Sequence, residues 1–339
     1  MFYRFTTFIF LIGTSTTLYA QAPTQVPTPQ AQAINDSYTT VSNEHAASKE
    51  DWTAISLAKS GLDAEAAGGA VISKVEFGEC TRELVRAEWR PNDPIDIYVI
   101  RPKGVNKPPV MLFLLNYTFD TDVFREPAWC KEAQQNSVTT VGFGSALSLQ
   151  RFHSPHSMRQ WFVSELQEAL GTSTHDVQMV LNYLDQRGDL DMKHVGMLGQ
   201  GSGGAIAILA AAADPRITAL DLLDPWGDWP DWIKESKQIP EQERATYLEP
   251  KFLAKVANLD PMIFLPQLKL KALRVQQVTS DLVTQPSARG KIAAAVVDPK
   301  SVVRYADNTS ERQAWGESGI SGWMTAQLHL KGTTTDKAQ

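Results

Sequence analysis

The sequence predicts an α/β protein whose mostly parallel sheet is covered by helices on both faces. Short runs rich in β-branched and aromatic residues begin near Val71, and from about residue 138 such runs alternate with helical patterns. The run VMLFLL at 110–115 is continuously apolar, which is typical of a strand covered on both faces. Strands that alternate with helices favour a parallel sheet, and such sheets bind ligands at the carboxyl ends of their strands.

The composition is that of a soluble globular protein with one large domain. The chain has 339 residues, of which 43% are hydrophobic and 21% are charged, and this balance supports a large buried core. We assign residues 37–335 to a single domain with an insertion at about 225–270. The formal net charge of -6, without a dense Lys/Arg run, predicts no nucleic-acid partner and no binding to anionic lipid.

The first residues predict an exported protein. An apolar stretch follows Arg4 and leads to two small-residue cleavage patterns, Leu18-Tyr-Ala20 and Ala20-Gln-Ala22. We interpret residues 1–22 as a signal peptide; a membrane anchor is disfavoured because the stretch is shorter than about 20 residues and contains several Thr and Ser. The Pro/Gln/Ala-rich segment 23–36 predicts a disordered linker. The expected location is periplasmic or secreted, with no membrane partner after cleavage.

The chain has two cysteines, Cys80 and Cys130. An exported protein meets an oxidising compartment, in which the two could form a disulfide. The alternative is a pair of buried thiols, since neither cysteine has metal-ligand spacing or lies in an activating motif. The sequence leaves both alternatives open.

Three later segments predict helices. Thr174 is interpreted as the cap of one helix, and residues 205–213 predict an almost wholly apolar, buried helix. Residues 225–270 contain Pro, many charges and no clear strand, which favours a helical insertion. Three tryptophans in this insertion either form the aromatic wall of a ligand pocket or pack the insertion onto the core: Trp226, Trp229 and Trp232.

The clearest chemical motif is the strand, glycine-rich turn and apolar helix at 195–208, VGMLGQGSGGAIAI. This segment resembles the nucleophile elbow of the α/β-hydrolase family, in the branch of dienelactone hydrolases, acetyl esterases and prolyl-oligopeptidase-like peptidases. The likeness spans roughly residues 71–330 and includes Asp176-Val-Gln, Asp214-Pro-Arg216 and Ser280-Asp281. It implies the fold of that family and acyl transfer through a covalent serine intermediate.

The elbow departs from the family because the chain has no strict G-x-S-x-G. If Gly199 and Gly203 are the flanking small residues, the nucleophile position is Gly201, which has no side chain to attack a substrate. If Ser202 is the nucleophile, Gln200 stands where the tight crossing requires a small residue. We favour the first register, because it places no bulky residue in the turn.

The second departure concerns the general base. Family members carry a histidine after the last strand, whereas SVVRY at 301–305 is followed by a segment with no histidine before His329. We interpret His329 as a packed or surface residue of a final helix, which the sequence predicts at about 319–330. Asp281 matches the family's acid position, although a role as a helix cap or turn former is an equal alternative.

Several groups near the turn are candidates for ligand or oxyanion binding. The first oxyanion donor of the family would come from the loop at Asn116 and Tyr117, and the alternative is an ordinary polar loop. Backbone N–H groups at Gly201 and Gly203, together with Trp226, complete the predicted ligand-binding set.

Two other constellations compete with this site. Gly199, Gly201 and Gly204, with Asp221 about 20 residues later, fit the dinucleotide fingerprint, but that fingerprint usually lies at the start of a sheet. His153-Ser-Pro-His156 lacks a supporting carboxylate, so we predict a polar loop and no metal site, although either histidine could be a displaced base. No cofactor is predicted.

The sequence therefore favours an exported protein with a degenerate catalytic triad that binds a small-molecule, ester or peptide ligand at the glycine turn. A working serine esterase or peptidase that uses Ser202 and Asp281 is the first alternative. A nucleotide-binding protein is the second.

Overall fold

A nine-stranded sheet forms the centre of the computed structural model, in the order β1-β2-β3-β5-β4-β6-β7-β8-β9. The structure describes residues 50–63, 68–90, 93–148, 151, 165–318 and 320–329. They lie in the compact unit Ala47–Gln339; the other unit, Met1–Ala46, lies outside the described residues, as do the predicted signal peptide and linker. The strands are β1 (Ala70–Glu76), β2 (Cys80–Ala87), β3 (Ile95–Pro102), β4 (Pro109–Leu114), β5 (Thr139–Phe143), β6 (Asp191–Gln200), β7 (Ile217–Leu223), β8 (Ala272–Val278) and β9 (Val302–Tyr305).

The sheet is mostly parallel, which confirms the prediction. Strands β1, β2 and β3 pair antiparallel, and β3 is also antiparallel to β5. From β5 onward every pairing, through β4, β6, β7, β8 and β9, is parallel. The carboxyl ends of these parallel strands therefore lie on one edge of the sheet, where ligands bind in folds of this class.

The described helices lie on the connections between the strands, except the last two, which follow β9. They are α1 (Pro127–Asn136), α2 (Leu166–Arg187), α3 (Ser202–Ala213), α4 (Trp229–Glu235), α5 (Glu241–Tyr247), α6 (Pro250–Val256), α7 (Pro261–Phe264), α8 (Pro286–Ala295), α9 (Asn308–Ser318) and α10 (Gly322–His329). Helices α4 to α7 lie between β7 and β8, where the sequence predicts a helical insertion. None of the described helices is long and apolar enough to span a bilayer.

One helix begins earlier than the sequence indicates. Thr174, interpreted above as a helix cap, lies in the middle of α2, and its hydroxyl donates to the carbonyl of Leu170 at 2.8 Å. Inside a helix a threonine hydroxyl donates to a carbonyl of the preceding turn, whereas at a cap it accepts from a backbone N–H. The cap interpretation is therefore wrong, and α2 begins at Leu166 because its earlier residues are held by packing on the core.

The core lies on both faces of the sheet. Helix α3 is buried along most of its length, as its sequence SGGAIAILAAAA predicts, and it packs against β6 and β7. A second apolar cluster on the sheet contains Phe113, Phe124 and Met324. Cys80 of β2 and Cys130 of α1 form a disulfide across 50 residues of sequence, which decides between the two alternatives above.

Candidate functional site

The sharp turn between β6 and α3 has Gly201 at its tip. Strand β6 ends at Gln200 and α3 begins at Ser202, so Gly201 is the single residue between them. Its backbone has φ 54° and ψ -114°, a conformation that residues with a Cβ rarely adopt. Its N–H donates to the carbonyl of Leu223 at 2.9 Å, which ties the turn to the end of β7. The position that would carry an exposed nucleophile therefore carries a hydrogen atom.

The other glycines of the turn contact the chain's own backbone. A Cβ on Gly199 would lie 2.6 Å from the carbonyl oxygen of Gly203, and one on Gly203 would lie 1.9 Å from that of Leu114. A Cβ on Gly204 would lie 2.8 Å from Cβ of Pro225. Internal packing thus accounts for these glycines without a dinucleotide.

Asp221, the other member of the dinucleotide alternative, is fully buried in β7. Its carboxylate accepts hydrogen bonds from Arg274 at 2.5 and 2.9 Å and from Gln276 at 2.8 Å. A ribose hydroxyl would have to displace these partners. The structure therefore gives Asp221 a structural role in the sheet.

Ser202 is buried at the first position of α3. Its Oγ accepts a hydrogen bond from the N–H of Tyr117 at 2.9 Å and donates to Oδ1 of Asn116 at 3.1 Å. Its own N–H donates to the same Asn116 oxygen at 3.4 Å. The Asn116 carboxamide thus occupies the N–H group that would hold an oxyanion in an acyl-transfer site.

A cavity of about 200 Å³ lies directly above Gly201, at the carboxyl ends of β6, β7 and β8. Most of its lining is polar, and it holds three of the predicted ligand-binding residues. The lining residues are Asn116, Gln200, Gly201, Leu223, Asp224, Trp226, Asp281, Val283, Asn308 and Glu311.

The predicted site residues divide into two groups. Asn116, Gly201, Trp226 and Asp281 line the cavity, whereas Tyr117, Ser202 and Gly203 do not. Trp226 is buried, and its ring centroid lies 5.7 Å from that of Tyr117. The backbone N–H of Trp226 donates to the carbonyl of Gly201 at 3.1 Å. Trp226 therefore belongs to both alternatives stated above, since it packs in the core and also lines a pocket.

Three carboxyl groups come together at this cavity. Asp224 follows β7, Asp281 follows β8, and Glu311 lies in the first turn of α9. Asp281 accepts backbone N–H bonds from Val283 at 3.2 Å and Thr284 at 2.7 Å, which is the turn-forming role considered from the sequence.

Burial is the main cause that raises the pKa of Asp224 to about 7. The charges of Asp281 and Glu311 raise this pKa further, whereas the N–H of Val278, which donates to Asp224 Oδ1 at 2.9 Å, and Arg289 lower it. Burial also raises the pKa of Glu311, which is 7% exposed. Burial at this cavity therefore disfavours the ionised forms of Asp224 and Glu311.

Replacing Asp224 by Asn should make the protein more stable at alkaline pH. The folded pKa of about 7 lies above the ordinary value of 3.8 for an aspartate, so ionisation of Asp224 destabilises the wild type as pH rises between these values, by about 1.4 kcal/mol per pH unit at most. Asn keeps an oxygen for the N–H of Val278. Urea unfolding at pH 4.5, 6 and 8 should show the gain of Asp224→Asn growing with pH, and Asp185→Asn, at an exposed position, serves as the matched control. A gain that does not change with pH would contradict this assignment.

The described histidines lie elsewhere. His175 contacts Glu50 and the carbonyl of Ala54, His194 contacts Asp191, and His329 contacts the carbonyl of Asn136 at 2.9 Å. None of these three lines the cavity. His153 and His156, the displaced-base candidates, lie outside the described residues.

Sequence reasoning missed four polar residues of the cavity: Gln200, Asp224, Asn308 and Glu311. Asn308 and Glu311 belong to the segment after β9 that was searched for a histidine. A search of that segment for any ionisable residue, rather than for one residue type, would have found Glu311.

Several solved structures that resemble this chain are α/β-hydrolase-fold enzymes. Acetyl xylan esterase 1 from Thermoanaerobacterium sp. JW/SL YS485 matches with a TM-score of 0.60 and 14% identity, over 77% of this chain and 87% of that one. An acetyl xylan esterase from Paenibacillus sp. R4 matches with a TM-score of 0.58 and 15% identity, over 76% of this chain and 88% of that one. An acylaminoacyl peptidase from Pyrococcus horikoshii matches with 0.53 and 12% identity, over 69% of this chain and 38% of that one.

No protein-family model matches the sequence, and no curated protein does so either. The fold and its glycine turn nevertheless define the class: the chain has the α/β-hydrolase fold, as the sequence predicts. Because the identities are so low, the likeness establishes this fold and not an activity.

Proposed function

We propose that this protein is an exported α/β-hydrolase-fold protein that binds a small ligand in the cavity above Gly201 and forms no acyl-serine intermediate. The observation that carries the proposal is the backbone of Gly201, whose φ of 54° and ψ of -114° place it at the tip of the elbow. A nucleophile at this tip would need a side chain, and glycine has none.

The contacts of Asn116 support the same proposal. In acyl transfer, N–H groups around the elbow must be available to the oxyanion. Here the N–H of Ser202 donates to Oδ1 of Asn116, and the N–H of Tyr117 donates to Oγ of Ser202. A substrate oxygen would have to displace both partners, whereas a ligand in the cavity above needs neither group.

A serine hydrolase that uses Ser202, with Asp281 and a histidine, is the second candidate function. The likeness to acetyl xylan esterases and to an acylaminoacyl peptidase favours it. Ser202 Oγ is buried, however, and its described hydrogen bonds are to Asn116 and Tyr117 rather than to a base. A hydroxyl without an adjacent base is a poor nucleophile at neutral pH.

A labelling experiment with the mature protein separates the two candidates. Wild type and Ser202→Ala are incubated with a fluorophosphonate probe and assayed with p-nitrophenyl acetate, acetylated xylan and an acylaminoacyl p-nitroanilide. We expect the wild type to be labelled no more than heat-denatured protein is. We also expect any turnover of the three substrates to be the same in wild type and in Ser202→Ala. Labelling or turnover that is present in wild type and lost in Ser202→Ala would refute the proposal and establish the serine hydrolase. A serine esterase of known activity serves as the positive control.

A further inference from the structure

The cavity above Gly201 is lined by several acidic side chains. Its described lining contains three carboxyl groups, from Asp224, Asp281 and Glu311, and no lysine or arginine. These carboxyl groups come from three separate segments of the chain, after β7, after β8 and in α9, so only the fold brings them together. Buried carboxylates are normally paired with cations or fully hydrogen-bonded, because the loss of hydration is otherwise uncompensated.

Glu311 is the residue whose bonding is incomplete. It is 7% exposed, and its Oε1 has no hydrogen-bond partner among the described residues. Asp281, in contrast, receives two backbone N–H bonds, and Asp224 receives one. A buried acceptor that lines a cavity and has no partner is the group that a bound donor would satisfy.

The nearby cation does not fill this role. Arg289 lowers the pKa of Asp224, but its guanidinium donates to the backbone carbonyls of Val278 at 2.8 Å and Thr279 at 3.0 Å. Arg289 is therefore bonded to the backbone behind the cavity, and it does not line the cavity itself.

We propose that the cavity above Gly201 binds a small organic ligand through an ammonium group, which donates to Glu311 and is held by the charges of Asp224 and Asp281. This inference rests on the proposed function, because the ligand would occupy the space over the bare tip of the elbow. An ammonium group supplies three donors and a positive charge, so it satisfies an unpaired carboxylate oxygen and offsets the repulsion among the acids.

The arrangement favours an organic cation over a bare metal ion. Among the described residues, no group of three or more His, Cys, Asp and Glu is arranged to hold a metal. The carboxyl groups are instead distributed around a cavity of about 200 Å³, next to the carboxamides of Asn116, Gln200 and Asn308. Carboxamides can donate to and accept from the hydroxyl groups of a ligand, which suits an amino alcohol or an amino sugar.

The experiment compares probes that differ only in the ammonium group. Calorimetric titration and thermal unfolding at pH 7.5 and low ionic strength use two pairs, ethanolamine with ethylene glycol and glucosamine with glucose; potassium and calcium chloride are run alongside. We expect binding and a raised unfolding midpoint with one or both amines, and neither effect with the neutral counterparts. Equal binding of amine and neutral partner, a response to calcium in place of the amines, or no binding of either amine would overturn the proposal.

Two variants locate the binding. Glu311→Gln keeps the shape of the side chain and removes a buried charge, so we expect it to weaken amine binding roughly tenfold or more without lowering the unfolding midpoint. The matched control is Glu79→Gln on the exposed β1–β2 turn, which should bind as the wild type does. Unchanged affinity in Glu311→Gln would overturn the assignment of the site.

The outcome is distinguishable from failure of the proposed function. Labelling of Ser202 by fluorophosphonate with intact amine binding would refute the non-hydrolytic function and leave the ligand class standing. Absence of labelling with no amine binding would refute the ligand class alone.

Discussion

Asp176→Asn should lower the free energy of unfolding by about 3–5 kcal/mol, the range seen when one partner of a buried ion pair is removed. Asp176 lies fully buried in α2, where it accepts hydrogen bonds from Arg90, from Arg151 at 2.5 Å and from the indole of Trp89 at 3.1 Å. Asn keeps the size of the side chain but removes the charge that offsets two guanidinium groups. Urea unfolding at pH 7, followed by tryptophan fluorescence, measures the loss.

The pH dependence provides a second test of the same residue. Burial acts to raise the pKa of Asp176, but Arg151 and Arg90 outweigh it and lower this pKa to about 2. The stabilisation by Asp176 is therefore complete above its ordinary pKa of 3.8 and is lost as pH falls from there towards 2. The difference between wild type and Asp176→Asn should shrink over this interval.

A surface ion pair serves as the control for Asp176. Asp96 is bonded to Arg86 at 2.8 Å, but both side chains are partly exposed, so Asp96→Asn should cost at most about 1 kcal/mol. If the two variants lose similar stability, the network around Asp176 does not hold the fold together as its contacts indicate.

The fold could be predicted from the sequence because its strands carry local signals. The apolar residues of β4 and the uniformly apolar α3 each indicate burial on all sides, and their order along the chain predicts a parallel sheet. The start of α2 could not be predicted, because a threonine hydroxyl can accept a bond at a cap or donate one within a helix, and the sequence does not show which. Local pattern also left the pairing of Cys80 with Cys130 open, since it depends on how α1 packs against β2.

The candidate site could be predicted only in part. The glycine turn and Asp281 are marked by short motifs, and both line the cavity. Asp224 and Glu311 are separated along the chain and belong to no motif, so their proximity to Asp281 follows from the sheet order β6-β7-β8-β9 alone. The bonds from Ser202 to Asn116 depend on side-chain conformations, which the sequence pattern does not determine.

Gly203→Ala should prevent folding or lower the free energy of unfolding by about 4 kcal/mol or more, a size reserved for severe steric or polar defects. A Cβ at this position would lie 1.9 Å from the carbonyl oxygen of Leu114 and 2.8 Å from that of Leu115. Both atoms belong to the backbone at the end of β4 in the buried centre of the sheet, so neither can move without disturbing β4. The measurement is the soluble yield of Gly203→Ala and, where soluble protein is obtained, its unfolding midpoint in urea.

Gly201→Ala is the matched comparison, because it adds the same methyl group two residues earlier. Its Cβ would lie 2.9 Å from Oδ1 of Asn116, the end of a side chain that can rotate, so the steric part of the cost should be small and backbone strain of about 1–3 kcal/mol should dominate. The double variant with Asn116→Ala should recover the steric part of this cost and leave the strain. Equal damage from the two glycine variants would show that position 201 is packed as tightly as position 203 and could never have held a side chain. A mild effect at Gly201 and a severe one at Gly203 would show that the elbow requires glycine at position 203 for packing. It would also show that position 201, where the nucleophile is missing, can accept a side chain.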